Sequence, residues 1–238
     1  MHSGKLEDFV GRTVVVTGGL GALGGAVVAE VRRRGGRCVV PYRSGSPPSA
    51  IRDKDPDIQW VGPLDLTSEA EVRALYEGVP DLWASIHCAG GFAASGVAEE
   101  TAQSVEDQWR LNFLTAFLCC REAVRCFRRT RTGGRIVNVA ARPALEPRQG
   151  AGMVSYTASK AAVAALTCAL AEEVAAEGIW VNAVVPSILD TEANRRAMPD
   201  APAHTWPSVE DAAETIVFLA SPLNRCTRGG LVPVYGRA

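Results

Sequence analysis

This chain of 238 residues contains only three histidines, and His2, His87 and His204 are too scattered to suggest a metal site. It has seven cysteines but no CxxC pair. Cys38, Cys88, Cys119, Cys120, Cys126, Cys168 and Cys226 sit mostly inside apolar runs, which predicts core thiols in a reducing compartment rather than disulfides or zinc ligands. A dominant charge is missing too: the formal net charge is -1, so no global basic field favours nucleic acid. The runs Arg32-Arg33-Arg34 and Arg128-Arg129-Thr130-Arg131 read as solvated helix ends, where cations complement the C-terminal dipole. No stretch reaches the ~20 apolar residues of a membrane span. Met1 to Val10 is polar and lacks the apolar core of a signal peptide. These absences predict a cytoplasmic protein with no membrane or nucleic-acid partner. Internal repeats and low-complexity linkers are absent as well, so residues 1–238 are expected to form a single domain.

What is present is an alternation of short β-branched runs with longer helical ones. Thr13 to Val16 reads as a buried strand, and Leu23, Val27, Val28 and Val31 mark one face of a helix ending at Gly35-Gly36. Further strands are expected at Cys38 to Val40, Ile58 to Val61, Leu82 to His87, Ile136 to Val139, Trp180 to Val185 and Leu231 to Val234. Ser68 opens a helix with a capping box. Long helices are expected over Glu106 to Arg128 and Val154 to Ala176, and Ser208 caps a late one. Strand alternating with helix predicts an α/β class: a Rossmann-type, doubly wound parallel sheet, with ligands at the carboxyl ends of its strands.

The first strand runs straight into Thr17-Gly18-Gly19-Leu20-Gly21-Ala22-Leu23-Gly24, and a helix follows. This is the context a dinucleotide fingerprint requires. Gly18 can make the tight turn, Gly21 lets backbone approach a pyrophosphate, and Gly24 permits close packing of the helix. The helix start then offers free N–H groups and a positive dipole end to the anion. After the second strand, an NAD-selective site would carry an acid for the ribose 2′-hydroxyl. Here Pro41-Tyr42-Arg43-Ser44 stands instead. Arg43 can fork onto a 2′-phosphate and Ser44 can add a hydroxyl, which predicts NADP(H) as cofactor; a solvated loop arginine is the plainer alternative.

Ser155-Tyr156-Thr157-Ala158-Ser159-Lys160 opens an alanine-rich helix, with Tyr156 and Lys160 one turn apart on the same face. A phenol titrates near 10, too high for easy proton exchange at neutral pH. A nearby ammonium lowers that value, so Tyr156 is expected to act as general acid toward a carbonyl or imine.

With these motifs in place the chain resembles the short-chain dehydrogenase/reductase family over essentially its full length. The resemblance extends to Asp65 in Leu64-Asp65-Leu66-Thr67 as the adenine-contacting acid, with Leu66 beside it, and to His87-Cys88-Ala89-Gly90 in place of an NNAG segment. It also covers Asn112 as the helix asparagine that holds a proton-relay water. Pro186-Ser187-Ile188-Leu189-Asp190-Thr191 resembles the segment that contacts the nicotinamide carboxamide. The resemblance thus implies catalytic roles for Tyr156, Lys160 and Asn112. It implies cofactor contacts from Gly18, Gly19, Leu20, Gly21, Ala22, Leu23, Arg43, Ser44, Asp65, Leu66, Ala89, Gly90, Gly91, Tyr156, Lys160, Pro186, Ile188 and Thr191. It further implies a homodimer or homotetramer paired through the long helices after strands four and five, and a small-molecule substrate.

Three departures stand out. The glycines are spaced GxxGxxG, Ser187 replaces a glycine, and Ala141 stands where the family has its catalytic serine. The Gly18 to Gly24 loop and Ala89-Gly90-Gly91-Phe92-Ala93 resemble the dihydropteridine reductase branch, as does the stretch from Leu189 to Pro199 with Trp206 after it. Phe92, Met198 and Trp206 either line the substrate pocket or pack a lid, and His204 is expected to be exposed. Two functions follow. The first is an NADPH-dependent reductase of a small conjugated carbonyl, quinonoid or imine acceptor. The second is a catalytically weak NADP(H)-binding sensor or accessory protein. The intact Tyr156, Lys160 and Asn112 favour the first, because a pure binder needs none of them together.

Overall fold

Among the described residues, seven short, mostly apolar segments form one parallel sheet. The computed structural model describes residues 6–44 and 55–238, so His2 lies outside the described residues. The strands are β1 (Thr13–Thr17), β2 (Arg37–Pro41), β3 (Ile58–Val61), β4 (Leu82–His87), β5 (Gly134–Val139), β6 (Ile179–Pro186) and β7 (Leu231–Val234). Their order across the sheet is β3-β2-β1-β4-β5-β6-β7. The chain therefore winds one way from β1 to β3, then crosses back to β4 and winds the other way. The switch lies between β1 and β4, and the crevice at the carboxyl ends of those strands is the expected ligand site.

Successive side chains on a strand point to opposite faces. Val14 and Val16 accordingly pack with Val27, Val31, Ile86, Val137 and Ile216 beneath α1 (Ala22–Arg33) and, late in the chain, Val209–Ala220. Val15 packs on the other face with Leu75, Tyr76, Leu118, Ile136 and Val181. That face is covered by α2 (Glu69–Glu77), by α4 (Thr115–Thr130), into which α3 (Ala102–Gln108) leads, and by α6 (Val154–Glu173), on which α3 and the four-residue α5 (Arg142–Leu145) pack. Among the described residues, the remaining α-helices are α7 (Glu192–Ala197) and α8 (Val209–Ala220). Ser68 and Ser208 cap their helices, accepting from Glu71 N and Asp211 N, but the capping box expected at Ser68 does not close: the Glu71 carboxylate accepts from Asp65 N at 2.7 Å instead.

Three further expectations need correction. The helix expected over Glu106 to Arg128 is not uniform: a π-helical turn, Trp109–Leu114, separates α3 from α4 and contains Asn112. Such turns insert a residue into the helical ladder and recur at functional sites. The arginines that close α1 are not all solvated. Arg32 reaches Asp55 and Asp57, and Arg34 is buried against Glu30 at 2.6 Å, because the segment entering β1 packs here, with Phe9 donating to the Arg34 carbonyl. Finally, α6 is long and apolar enough by composition to span a membrane. One face of it, carrying Ser159, Lys160, Val163, Thr167 and Ala171, is buried against the body of the protein.

Candidate active site

The phosphate loop is built by backbone crowding. Gly18 has φ +71°, and a Cβ there would lie 2.7 Å from the backbone of Cys88 and Ala89, where β4 ends. A Cβ at Gly24 would strike the Gly18 carbonyl, so only glycine lets the first turn of α1 close onto the loop. Gly21 donates to Gly18 O at 2.9 Å and is the N-cap of α1, without a side-chain cap. Gly19, Leu20, Ala22 and Leu23 complete a turn whose N–H groups and dipole end suit a pyrophosphate. The donor chemistry and the glycine cradle both fit a dinucleotide.

Arg43 and Ser44 follow β2 and are exposed. Tyr42 is held aside by its hydroxyl, which donates to Gly62 O at 2.8 Å. Asp65 follows β3; its carboxylate accepts from Thr67 N at 2.8 Å and from the Thr67 hydroxyl. Leu66 is partly buried against the core. Ala89 donates to the Thr17 hydroxyl at 3.2 Å, which ties the β4 end to the β1 end. Beyond β6, which ends at Pro186, Ile188 is exposed and the Thr191 hydroxyl caps α7 through Asn194 N. Ser187, in place of a glycine, donates to Tyr235 O at 3.0 Å and pins the segment to the end of β7. All of these residues rim the carboxyl end of the sheet.

Asn112 is the hub beneath them. Its side chain accepts from Gly91 N and donates to Gly91 O, both at 3.0 Å, and also reaches Ser159 Oγ at 3.1 Å. A Cβ at Gly90 would lie 2.7 Å from Asn112 Oδ1 and 3.4 Å from Lys160 Nζ, so glycine lets these two groups converge. Lys160 is buried and donates to Val139 O at 2.9 Å. The electrostatics differ from the expectation of an ammonium pulling the phenol down. Burial pushes Tyr156 up to about 12. Burial likewise pushes the Lys160 ammonium down to about 8, with Cys88 opposing slightly. The physical reason is that the ammonium is turned onto a β5 carbonyl and both groups lie in a desolvated site. At neutral pH Tyr156 therefore keeps its proton.

Ala141 is buried and is the N-cap of α5, two residues beyond β5. No hydroxyl stands at that position. Ser155 is also buried, but its hydroxyl donates to Glu100. Phe92 is exposed, with its ring edge-on to that of Tyr156, centroids 4.9 Å apart. Trp206 is 8% exposed and belongs to the packing rather than to an open pocket wall. Met198 is partly exposed at the end of α7, and His204 is exposed.

One buried polar chain was not anticipated. Thr167 Oγ1 donates to Val163 O, so it accepts from Asn138 Nδ2 at 2.9 Å. Asn138 Oδ1 then accepts from His87 Nδ1 at 2.8 Å, and His87 Nε2 accepts from Ser85, which accepts from Tyr76 at 2.6 Å. Every member is satisfied with His87 neutral, and burial pushes His87 down to about 4. The signal was available: asparagine and histidine near the ends of otherwise apolar strands demand partners.

A family model described as short chain dehydrogenase matches residues 12–202. Cis-4-hydroxycyclohexanecarboxylate dehydrogenase of Sinomonas cyclohexanicum is 33% identical over 248 aligned positions, covering 97% of each chain. The 3-oxoacyl-[acyl-carrier-protein] reductase of Rickettsia bellii is 27% identical, covering 96% of this chain and 97% of its own. Among solved structures, ElxO with NADP bound superposes with a TM-score of 0.85 at 23% identity, over 94% of this chain and 97% of that one.

Proposed function

This chain belongs to the short-chain dehydrogenase/reductase family of oxidoreductases, and we propose that it is an NADPH-dependent reductase of a small conjugated carbonyl, quinonoid or imine acceptor. One observation carries the reading: Lys160 and Asn112 meet around Gly90, Tyr156 lies one helical turn from Lys160 with its ring against Phe92, and Ala141, two residues past β5, has no hydroxyl.

In this reading Gly18 to Leu23 cradle the pyrophosphate, and Arg43 with Ser44 faces the 2′-phosphate. Asp65 and Leu66 border the adenine. Ala89, Gly90 and Gly91 lie along the ribose side, and Pro186, Ile188 and Thr191 along the nicotinamide side. NADPH supplies the hydride when bound. Tyr156 donates the proton that the acceptor takes up, and Lys160 supplies a positive charge behind it. Asn112 fixes Gly91, and with it the strand end against which the cofactor lies. The exposed Phe92 ring beside the phenol suits a flat unsaturated acceptor.

The acceptor class follows from Ala141. A simple ketone builds oxyanion charge as hydride arrives and depends on each donor around it. A quinonoid or conjugated imine spreads that charge and depends less on a missing donor. The likeness of the glycine loop and of the Gly90-Gly91-Phe92 segment to dihydropteridine reductases points the same way.

A homodimer or homotetramer belongs to this reading. Val105, Trp109, Phe113 and Phe117 recur once per turn through α3, the π turn and α4. Trp109 and Phe117 are exposed, and the ring centroids lie 4.5 Å and 6.1 Å apart along the row. Such a continuous aromatic stripe suits burial against a second copy. The deciding experiment is anaerobic turnover with NADPH and NADH against quinonoid dihydropterin, quinones and ketones. NADPH-linked reduction of the conjugated acceptors alone is the expected result, and brisk ketone reduction overturns the substrate assignment.

A further inference from the structure

Tyr156 sits in the first turn of α6, and that turn has little of its own to hold it. Met153 is the N-cap and provides no side-chain cap, so the first N–H groups of the helix lack the partner that usually stops a helix end from fraying. Lys160, one turn further in, is secured by burial and by its bond to Val139 O. Tyr156 has no such bond among the described residues.

The loop after β4 supplies what the helix start lacks. It is anchored at its beginning by Asn112, which binds both backbone groups of Gly91. It then touches the start of α6 at three points. The Phe92 ring meets the Tyr156 ring edge-on. Ser95 pairs with Met153 through a backbone bridge. At the far end, Glu100 accepts the hydroxyl proton of the buried Ser155. Glu100 directly precedes Thr101, the side-chain cap of α3, whose hydroxyl accepts from Ser104 N and whose backbone N–H is bonded by Ser104 in turn. The carboxylate is thus carried on a fixed helix start and grips the residue next to Tyr156.

We propose that Glu100 is a positioning residue for Tyr156: by holding Ser155 it fixes the first turn of α6 and the direction of the phenol. The proposal rests on the reading of Tyr156 as the proton donor. Its physical basis is the geometric tolerance of proton transfer, where a displacement of about 1 Å can cost about a hundredfold in rate. The role is one of acceptance rather than of charge. Glutamine at the same position keeps an acceptor oxygen for Ser155, whereas alanine does not.

The test is a double-mutant cycle with NADPH and whichever acceptor wild type turns over. Glu100→Ala is expected to lower kcat by about tenfold or more, with the dissociation constant for NADPH unchanged, because Lys160 and the phosphate loop are held independently. Glu100→Gln is expected to stay close to wild type, with the same pH profile. In a Tyr156→Phe background, Glu100→Ala is expected to cause no further loss, since the group it positions is gone. A drop in melting temperature together with equal losses in both backgrounds would mean a merely structural role and overturn the proposal. So would a Glu100→Gln variant as damaged as Glu100→Ala, which would show that charge and not acceptance matters. If Tyr156→Phe alone retains full turnover, the proton-donor reading fails and the proposal falls with it; a fall in Tyr156→Phe with an unaffected Glu100→Ala sinks only the role of Glu100.

Discussion

Lys160 Nζ donates to the backbone carbonyl of Val139 at 2.9 Å, so the one cation on the Tyr156 helix face is tethered to the end of β5. The tether and the burial around it have a consequence for pH. The Lys160 ammonium is pushed down to about 8, and Tyr156 up to about 12.

Below about pH 8 Lys160 is charged, and above it the charge is lost while Tyr156 is still protonated. The kcat/KM for the acceptor is therefore expected to be level in the neutral range and to fall as pH rises through about 8. Lys160→Met should lack that limb and show low activity throughout. Tyr156→Phe should bind NADPH nearly as well as wild type yet lose about a hundredfold or more in turnover. A profile that is level to pH 10 would show that the lysine charge is not needed.

Arg43 lies exposed just past β2, where an acid would mark NAD selectivity. Arg43→Ala is expected to weaken NADPH by about 1.5–3 kcal/mol, the range for a hydrogen bond to a charged group, and to leave NADH nearly unchanged. Isothermal titration with both cofactors on both proteins measures this. Equal NADPH affinity in the two proteins would remove Arg43 from the cofactor site.

The buried chain from Tyr76 to Thr167 gives stability a pH dependence of defined sign. His87 ordinarily titrates near 6.5 and is pushed down to about 4 in the fold. Between those values the unfolded chain takes up a proton that the folded one refuses, so stability falls as pH falls below 6.5. A full proton of difference corresponds to about 1.4 kcal/mol per pH unit, and because the unfolded imidazole is half protonated at pH 6.5, the interval from 6.5 to 5 amounts to about 1.6 kcal/mol. Urea denaturation of wild type and His87→Gln across that interval isolates this contribution, since carboxylates titrate in both. Parallel curves for the two proteins would mean that His87 is protonated in the fold.

Much of this was legible in the sequence, for reasons that differ by residue. Thr13 to Val16 and Val181 to Val185 are buried on both faces, so their composition alone marked them as strands. The glycine loop was legible because Gly18 and Gly24 each meet a backbone atom that excludes a side chain. The π turn at Asn112 was not, since its apolar spacing is close to that of an ordinary helix. Nor was the direction of the Tyr156 shift: spacing places Lys160 on the same helix face, but only coordinates show its ammonium turned to Val139. The grip of Glu100 on Ser155 joins residues 55 apart in sequence, and no local pattern announces such a contact.

Ala141 sets the sharpest test of substrate class. It is buried, it caps α5 two residues beyond β5, and the hydroxyl of Ser155, at the start of α6, is committed to Glu100. A ketone acceptor in this site therefore lacks a side-chain donor that typically contributes about 10²–10³ in rate. A quinonoid acceptor gains delocalisation as it is reduced and forfeits less. Wild type is accordingly expected to reduce quinonoid dihydropterin well and simple ketones poorly at saturating NADPH. Ala141→Ser is expected to raise ketone reduction by about tenfold or more while changing quinonoid reduction little, because only the former builds localised oxyanion charge. Steady-state rates of both proteins on both acceptors, with melting temperatures as a control for the buried substitution, decide the matter. Should the serine variant gain equally on both acceptors, the hydroxyl acts by orienting substrate rather than by bonding developing charge. Should wild type already reduce ketones as fast as quinonoids, another donor serves the oxyanion, and the argument from Ala141 to a conjugated substrate fails.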